Sequence, residues 1–239
     1  SAEMLALTGL DTTHMPRLVE GSEVSGTLRP AVAREWGVPA GIPVAGGGGD
    51  NAAGAVGIGC VAPGSAFVSL GTSGVIFVAD AAPMPDPERT VHAFCHALPG
   101  RWHRMSVILS AASALSWATR ALGFRDEAAT LAEVEAAGAG ATNRVVFLPY
   151  LAGERTPHDD PAAAGVWFGM DGATTRADLA RAVLEGVAFA LADGLDALEP
   201  RGGRIPTLSV IGGGARSALW GRILATALDV AMGHLINRQ

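Results

Sequence analysis

Three glycine-rich turns, each set directly after a short β-prone run, constrain this chain more than any other feature. Ile42-Pro43-Val44-Ala45 enters Gly46 to Gly49 and then Asp50; Ala66 to Leu70 and Val75 to Val78 flank Gly71-Thr72-Ser73-Gly74; Leu208 to Ile211 enters Gly212 to Gly214. The first and third turns open into stretches with helical character, residues 51–59 and 217–228, so each reads as strand, tight loop, helix. The second separates two strand-like runs and reads as a hairpin with a glycine-bounded turn. Strands alternating with helices, plus a hairpin, predict an α/β fold whose sheet is not purely parallel.

Other elements follow from periodicity. A helix is expected over residues 111–122 and a buried strand over 144–150. The strongest helix starts at Thr175, which has capping-box spacing to Asp178. Leu179, Val183, Val187, Leu191 and Leu195 recur every four residues along it, and it should end before Pro200. The first forty residues carry turn signals at Gly9, Gly21, Gly26, Pro30 and Pro39 and no long periodic segment, as expected of the end of something larger. The chain opens on Ser1, which predicts natural sequence upstream.

Composition narrows the function. The net charge is −6 and all 17 basic residues are arginine, without a cluster of them. Nucleic acid and anionic membranes, which need a positive surface, are not expected as partners. The absence of lysine removes the phosphate-gripping lysine of a P-loop or a protein kinase, and lysine Schiff-base chemistry. If the chain handles ATP, backbone N–H groups, a metal and arginine must hold the phosphates. Two cysteines, Cys60 and Cys95, fit a reducing compartment, and no apolar run of membrane-spanning length or secretory leader is visible, so a cytoplasmic location is expected.

Asp50, after four glycines, suits a general base, and it equally suits the N-cap of the following helix; the two readings are compatible. Gly71, Thr72 and Ser73 offer hydroxyls and N–H groups that could cradle phosphate, or simply form a turn. The G-x-S-x-G spacing of a hydrolase elbow fails at Val75, and Gly212 to Ser217 does not match G-x-G-x-x-G. His92, Cys95, His96 and His103 lack the second ligand pair of a zinc site and read as packed or hydrogen-bonded side chains. Glu154 to His158 forms a polar loop that could line a substrate cleft or be a solvated connection.

Taken in order, GGGD, GTSG and GGGARS resemble the FGGY carbohydrate kinases. Gly165 to Met170, Asp178-Leu179 and Ala182 to Glu185 match that family's second signature across its length. The stretches GGGDNAAGAVGIG, FVSLGTSG, VHAFCHALPGRWH, LPYLAGERTPH and SVIGGGARSALW look closest to its xylulokinase group. The resemblance implies an actin-like ATPase fold with ribonuclease H-like domains, here α/β with a mixed sheet. It implies that residues 1–59 end the N-terminal region and include the GGGD loop, while 66–239 form the C-terminal ATP-binding domain, diverging after Asp229. By position, Asp50 would be the catalytic base with Asn51 beside it at the sugar. Gly71, Thr72 and Ser73 would hold the ATP phosphates, Ala112 and Ser116 would lie at the nucleotide, and Gly213, Gly214 and Ser217 would border the adenosine. The implied reaction moves the γ-phosphate of ATP, with Mg2+ on its phosphates near Asp50, to D-xylulose. Another pentulose, a polyol, gluconate or glycerol is the alternative acceptor, and a non-catalytic nucleotide-binding remnant the alternative role. The missing N-terminal domain would be required, and a homodimer is an expected assembly.

Overall fold

The computed structural model describes residues 1–138 and 144–235. A mixed six-stranded sheet organises it. The strands are β3 (Ala66–Leu70), β4 (Gly74–Asp80), β5 (His92–Cys95), β6 (Trp102–Ile108), β9 (Thr207–Ile211) and β10 (Ala231–Leu235), in the spatial order β10-β9-β3-β4-β6-β5. β10, β9 and β3 run parallel, and β4, β6 and β5 add on antiparallel. The predicted hairpin is β3–β4, with Leu70 paired to Gly74 across the GTSG turn.

Side chains alternate across this sheet and build two cores. Val68, Leu70, Ile76, Val78 and Ile108 face the helices α4 (Ala112–Ala121), α6 (Arg176–Gly202) and α7 (Ala218–Leu228), with α5 (Glu127–Ala136) packed outside α4 and α6. Phe67, Val75, Phe77, Ala79, Met105 and Val107 face the other way, toward Ala55 of α3 (Asp50–Ile58) and Cys60. A second ribbon, β7 (Val146–Leu148) with β8 (Val166–Phe168), lies on α6. The strand expected over 144–150 is therefore shorter than predicted and not buried throughout: Phe147 is buried while Val146 and Leu148 are exposed, because only one face of the ribbon meets the helix.

Thr175 caps α6 in the predicted capping box with Asp178. Val183, Val187, Leu191 and Leu195 are buried, and Leu179 is partly so. Gly186 permits the ribbon to approach, since a Cβ there would collide with the Phe147 carbonyl. The expected stop before Pro200 is corrected: the helix continues to Gly202. Proline lacks the N–H that would bond the Asp196 carbonyl four residues back. The Arg89 guanidinium donates to that carbonyl instead, at 3.2 Å, and so satisfies the orphaned acceptor. In the tail, residues 231–235 form β10 and extend the sheet, while residues 236–239 lie outside the described residues.

Residues 1–50 hold the short helices α1 (Ala2–Leu7) and α2 (Pro30–Trp36) and the antiparallel pair β1 (Val24–Thr27) and β2 (Pro43–Ala45). Only Ala33 is buried among them. The segment joins the body where Gly21 and Gly48 press against Ala97, and within it Gly46 packs on Glu20. A Cβ at Gly46 would lie 2.6 Å from the Glu20 carbonyl oxygen, and one at Gly48 would lie 2.8 Å from the Ala97 methyl.

Candidate functional site

The GTSG turn docks onto the start of α4. The Gly71 carbonyl accepts from Ala112 N at 2.9 Å, and the Thr72 carbonyl accepts from Ala111 N at 2.9 Å and from the Ser113 hydroxyl at 2.7 Å. The turn thereby occupies the first N–H groups of that helix, which would otherwise lack partners. Gly71 N–H bonds the Ser73 carbonyl. Thr72 is left exposed at the tip, beside half-buried Gly71 and Ser73.

The third glycine turn reaches the same place from β9. Gly212 adopts φ 92° and lies against the Leu70 backbone, and Gly214 lies against the Leu70 side chain; a Cβ on Gly213 meets nothing within 4 Å. Residues Gly213–Arg216 make a 3-10 turn before Ser217 caps α7 by accepting from Trp220 N. Between this turn, α4 and α5 lies a cavity of about 330 Å³ lined by Ala112, Ser116, Glu127, Gly213, Gly214 and Ser217. Five residues assigned to the nucleotide from sequence thus share one cavity. Sequence reasoning did not single out Glu127, which accepts from the Ser116 hydroxyl at 2.7 Å and is held below the usual carboxylate range by that bond. Arg216 lines the cavity too and is its basic residue.

Asp50 belongs to a different cavity. Gly49 is the N-cap of α3 without a side-chain cap bond, and Asp50 is the first helical residue, so the N-cap reading of Asp50 is not realised. Its carboxylate is exposed and meets the Asn51 amide at 3.4 Å. Asp50 and Asn51 line a space of about 530 Å³ with Phe94, Cys95, His103 and Met105. Sequence reasoning missed these four as wall residues. The period-2 alternation of β5 and β6, which sets His92 and Phe94 opposite Met105 and His103, was the signal available. The two cavities have no lining residue in common.

The histidines pack as expected. His103 stacks on Phe77 with centroids 4.4 Å apart, and His96 meets both rings edge-on. Burial, with the neighbouring His96 charge, pushes His103 down to about 4. Folding therefore favours its neutral form, whereas an unfolded chain takes up the proton near the ordinary value of 6.5. Stability should fall as pH drops from about 6.5 toward 4, by up to about 1.4 kcal/mol per pH unit. Urea denaturation across that range is expected to show this loss, and a shallower one in His103→Phe.

The loop over residues 154–158 is neither a solvated connection nor wholly a cleft wall. Glu154 and Thr156 are buried; Glu154 accepts from Leu109 N at 2.9 Å and Thr156 from Val107 N at 3.1 Å, tying the loop to β6. Arg155 and His158 are less enclosed.

Against known proteins, the profile of the FGGY family of carbohydrate kinases, C-terminal domain, matches residues 66–233, and that of the N-terminal domain matches residues 1–57. The chain belongs to the FGGY carbohydrate kinase family. Among members of this FGGY family, the xylulose kinase of Escherichia coli K12 is 52% identical over 222 residues, covering 93% of this chain and 46% of that protein. A crystal structure of a xyloylose kinase from Brucella ovis superposes with a TM-score of 0.89 at 51% identity, over 98% of this chain and 49% of that one. Glycerol kinase from Plasmodium falciparum with ADP has the same fold at 18% identity and a TM-score of 0.84, over 97% of this chain and 46% of its own. The fold is thus that of the FGGY sugar kinases, the actin-like, ribonuclease H-like ATPase architecture. The chain spans about half the length of the curated relatives it matches.

Proposed function

We propose that this chain is the ATP-binding part of a kinase that transfers the γ-phosphate of ATP to D-xylulose, giving D-xylulose 5-phosphate. The observation that carries this reading is the gathering of Ala112, Ser116, Gly213, Gly214 and Ser217 around one cavity, with the GTSG turn hydrogen-bonded to its α4 wall. The 52% identity to a xylulose kinase supports the choice of acceptor.

In this reading Thr72, with Gly71 and Ser73, holds the phosphates, and Arg216 supplies positive charge in a chain without lysine. Asp50 takes the proton from the acceptor hydroxyl as its oxygen forms a bond to the γ-phosphorus and the bond to the β-phosphate oxygen breaks, releasing ADP. Asn51 holds the sugar beside it. In the same reading Mg2+ is held through the ATP phosphates near Asp50. When bound, that ion neutralises charge on the transferring group.

Residues 1–59 then close the N-terminal domain and 66–239 make the nucleotide domain. Exposed Met4, Leu7, Leu18, Trp36 and Val44 support an upstream partner domain that covers them and is needed for activity. We place the protein in the cytoplasm; no described helix is long and apolar enough to cross a membrane. The complete protein is further read as a homodimer, supported by the apolar face of Val146, Leu148, Val166 and Phe168. A monomer in sedimentation at micromolar concentration would remove that part.

The test is calorimetric titration with Mg-ADP. The chain is expected to bind saturably, and Gly213→Val to lose at least about tenfold in affinity with an unchanged circular dichroism spectrum, since Gly213 lines the cavity and a Cβ there meets nothing within 4 Å. A folded chain without Mg-ADP binding would instead fit a nucleotide-site remnant.

A further inference from the structure

We propose that β5 and β6 supply the wall of the acceptor site facing Asp50, with Phe94 covering the C–H face of a neutral sugar and His103 holding one of its hydroxyls. This rests on the reading of Asp50 as the base above. It adds a second set of sugar contacts on this chain to those of Asp50 and Asn51.

Phe94 is a large apolar side chain left 49% exposed, and it borders the same space as Asp50. Its ring has two aromatic neighbours. His92 stacks beside it with centroids 5.6 Å apart and planes at 16°, and His103 lies at 5.7 Å. An aromatic face next to a carboxylate suits a molecule with hydroxyls on one side and C–H groups on another.

His103 provides the second, independent observation. It is 4% exposed, yet its Nδ1 has no hydrogen-bond partner among the described residues. A buried polar atom without a partner is costly, and a ligand hydroxyl would relieve that cost. The ring is held in place by its stack on Phe77, and in its neutral form it presents one donor and one acceptor. Met105 completes the apolar part of the wall. Neither lysine nor arginine is among the described residues lining this cavity, while Asp50 is acidic, so the portion of the acceptor held here carries no negative charge.

The experiment uses the full-length kinase that contains this chain. Phe94→Ala is expected to raise KM for D-xylulose about tenfold with a smaller loss in kcat, and Phe94→Tyr to restore it. His103→Phe keeps the stack on Phe77 and is expected to raise KM and narrow the preference for D-xylulose over its epimer D-ribulose by about three- to tenfold. Affinity for Mg-ADP should not move in either variant. A second readout needs no variant: Cys95 is an exposed thiol in this cavity, and Cys60 is a buried one, so alkylation by iodoacetamide should mark Cys95. Saturating D-xylulose is expected to slow that alkylation, and D-gluconate at the same concentration is not.

Unchanged KM and epimer preference in both variants, or no protection of Cys95 by D-xylulose, overturns the wall. Loss of turnover in Asp50→Ala alongside that result would leave the kinase reading standing without it. Retained turnover in Asp50→Ala would instead remove the base assignment on which the wall rests.

Discussion

Asp50→Ala is expected to lower turnover of D-xylulose by ~10²–10⁴, the range that follows loss of a general base, and to leave the protein folded. The second half of that expectation comes from the helix terminus. An aspartate that capped α3 through its side chain would take about 0.5–2 kcal/mol of stability with it. Asp50 makes no such bond: Gly49 is the N-cap, and the carboxylate reaches only the Asn51 amide at a long 3.4 Å. Its removal therefore separates chemistry from folding. Nucleotide binding should be untouched as well, since the cavity bordered by Gly213, Gly214 and Ser217 shares no lining residue with the one that holds Asp50. The measurement is a coupled turnover assay on the full-length protein beside Mg-ADP calorimetry on the same variant. Turnover within a few-fold of the parent protein would remove Asp50 from the role of base. Loss of both turnover and Mg-ADP binding would show that the two cavities are coupled in a way that this separation does not allow.

What the sequence made legible was local. Glycine turns after β-prone runs, the capping box at Thr175 and the four-residue recurrence from Leu179 to Leu195 are short-range patterns, and each is found as an element of the fold. What stayed hidden depends on partners distant in the chain. The helix past Pro200 needed Arg89, 107 residues away from the Asp196 carbonyl it serves, and no local rule anticipates that donor. Glu154 read as part of a polar loop, either lining a cleft or solvated, but two backbone N–H groups draw it inside. Gly46 and Gly48 read as a tight loop before Asp50, and they are also needed for close packing on Glu20 and Ala97. The cavity between α4, α5 and the third glycine turn was readable because its residues sit on recognisable motifs. The wall facing Asp50 was not, because Phe94 and His103 come together only through the antiparallel register of β5 and β6.

The same register explains the largest stability effect expected. Arg104 sits between His103 and Met105 on β6, and alternation turns it to the opposite face of the sheet, where it donates to Asp80 of β4 at 2.6 Å. Both side chains are almost fully buried, at 2% and 6% exposure. The pair is incompletely satisfied: Asp80 Oδ2 and Arg104 Nε have no partner among the described residues. Burial pushes the Asp80 carboxyl up, and the Arg104 charge brings it only part of the way back. Such a pair is costly to break and of little value to keep. Arg104→Ala strands a buried carboxylate and is expected to cost about 3–5 kcal/mol, against the ~5–15 kcal/mol that holds a typical domain folded. Replacing both, as Asp80→Leu with Arg104→Met, removes both desolvated charges and is expected to be neutral or to stabilise by about 1–4 kcal/mol. Urea midpoints of the two proteins decide the matter. A cost below about 1 kcal/mol for Arg104→Ala would mean that water reaches the pair and that it behaves as a surface ion pair does. If the larger cost is found, the sheet that presents His103 and Met105 to Asp50 is anchored from its far side by a contact that contributes geometry more than stability. The double variant should then keep its stability while its KM for D-xylulose reports how well β6 still holds the wall in place.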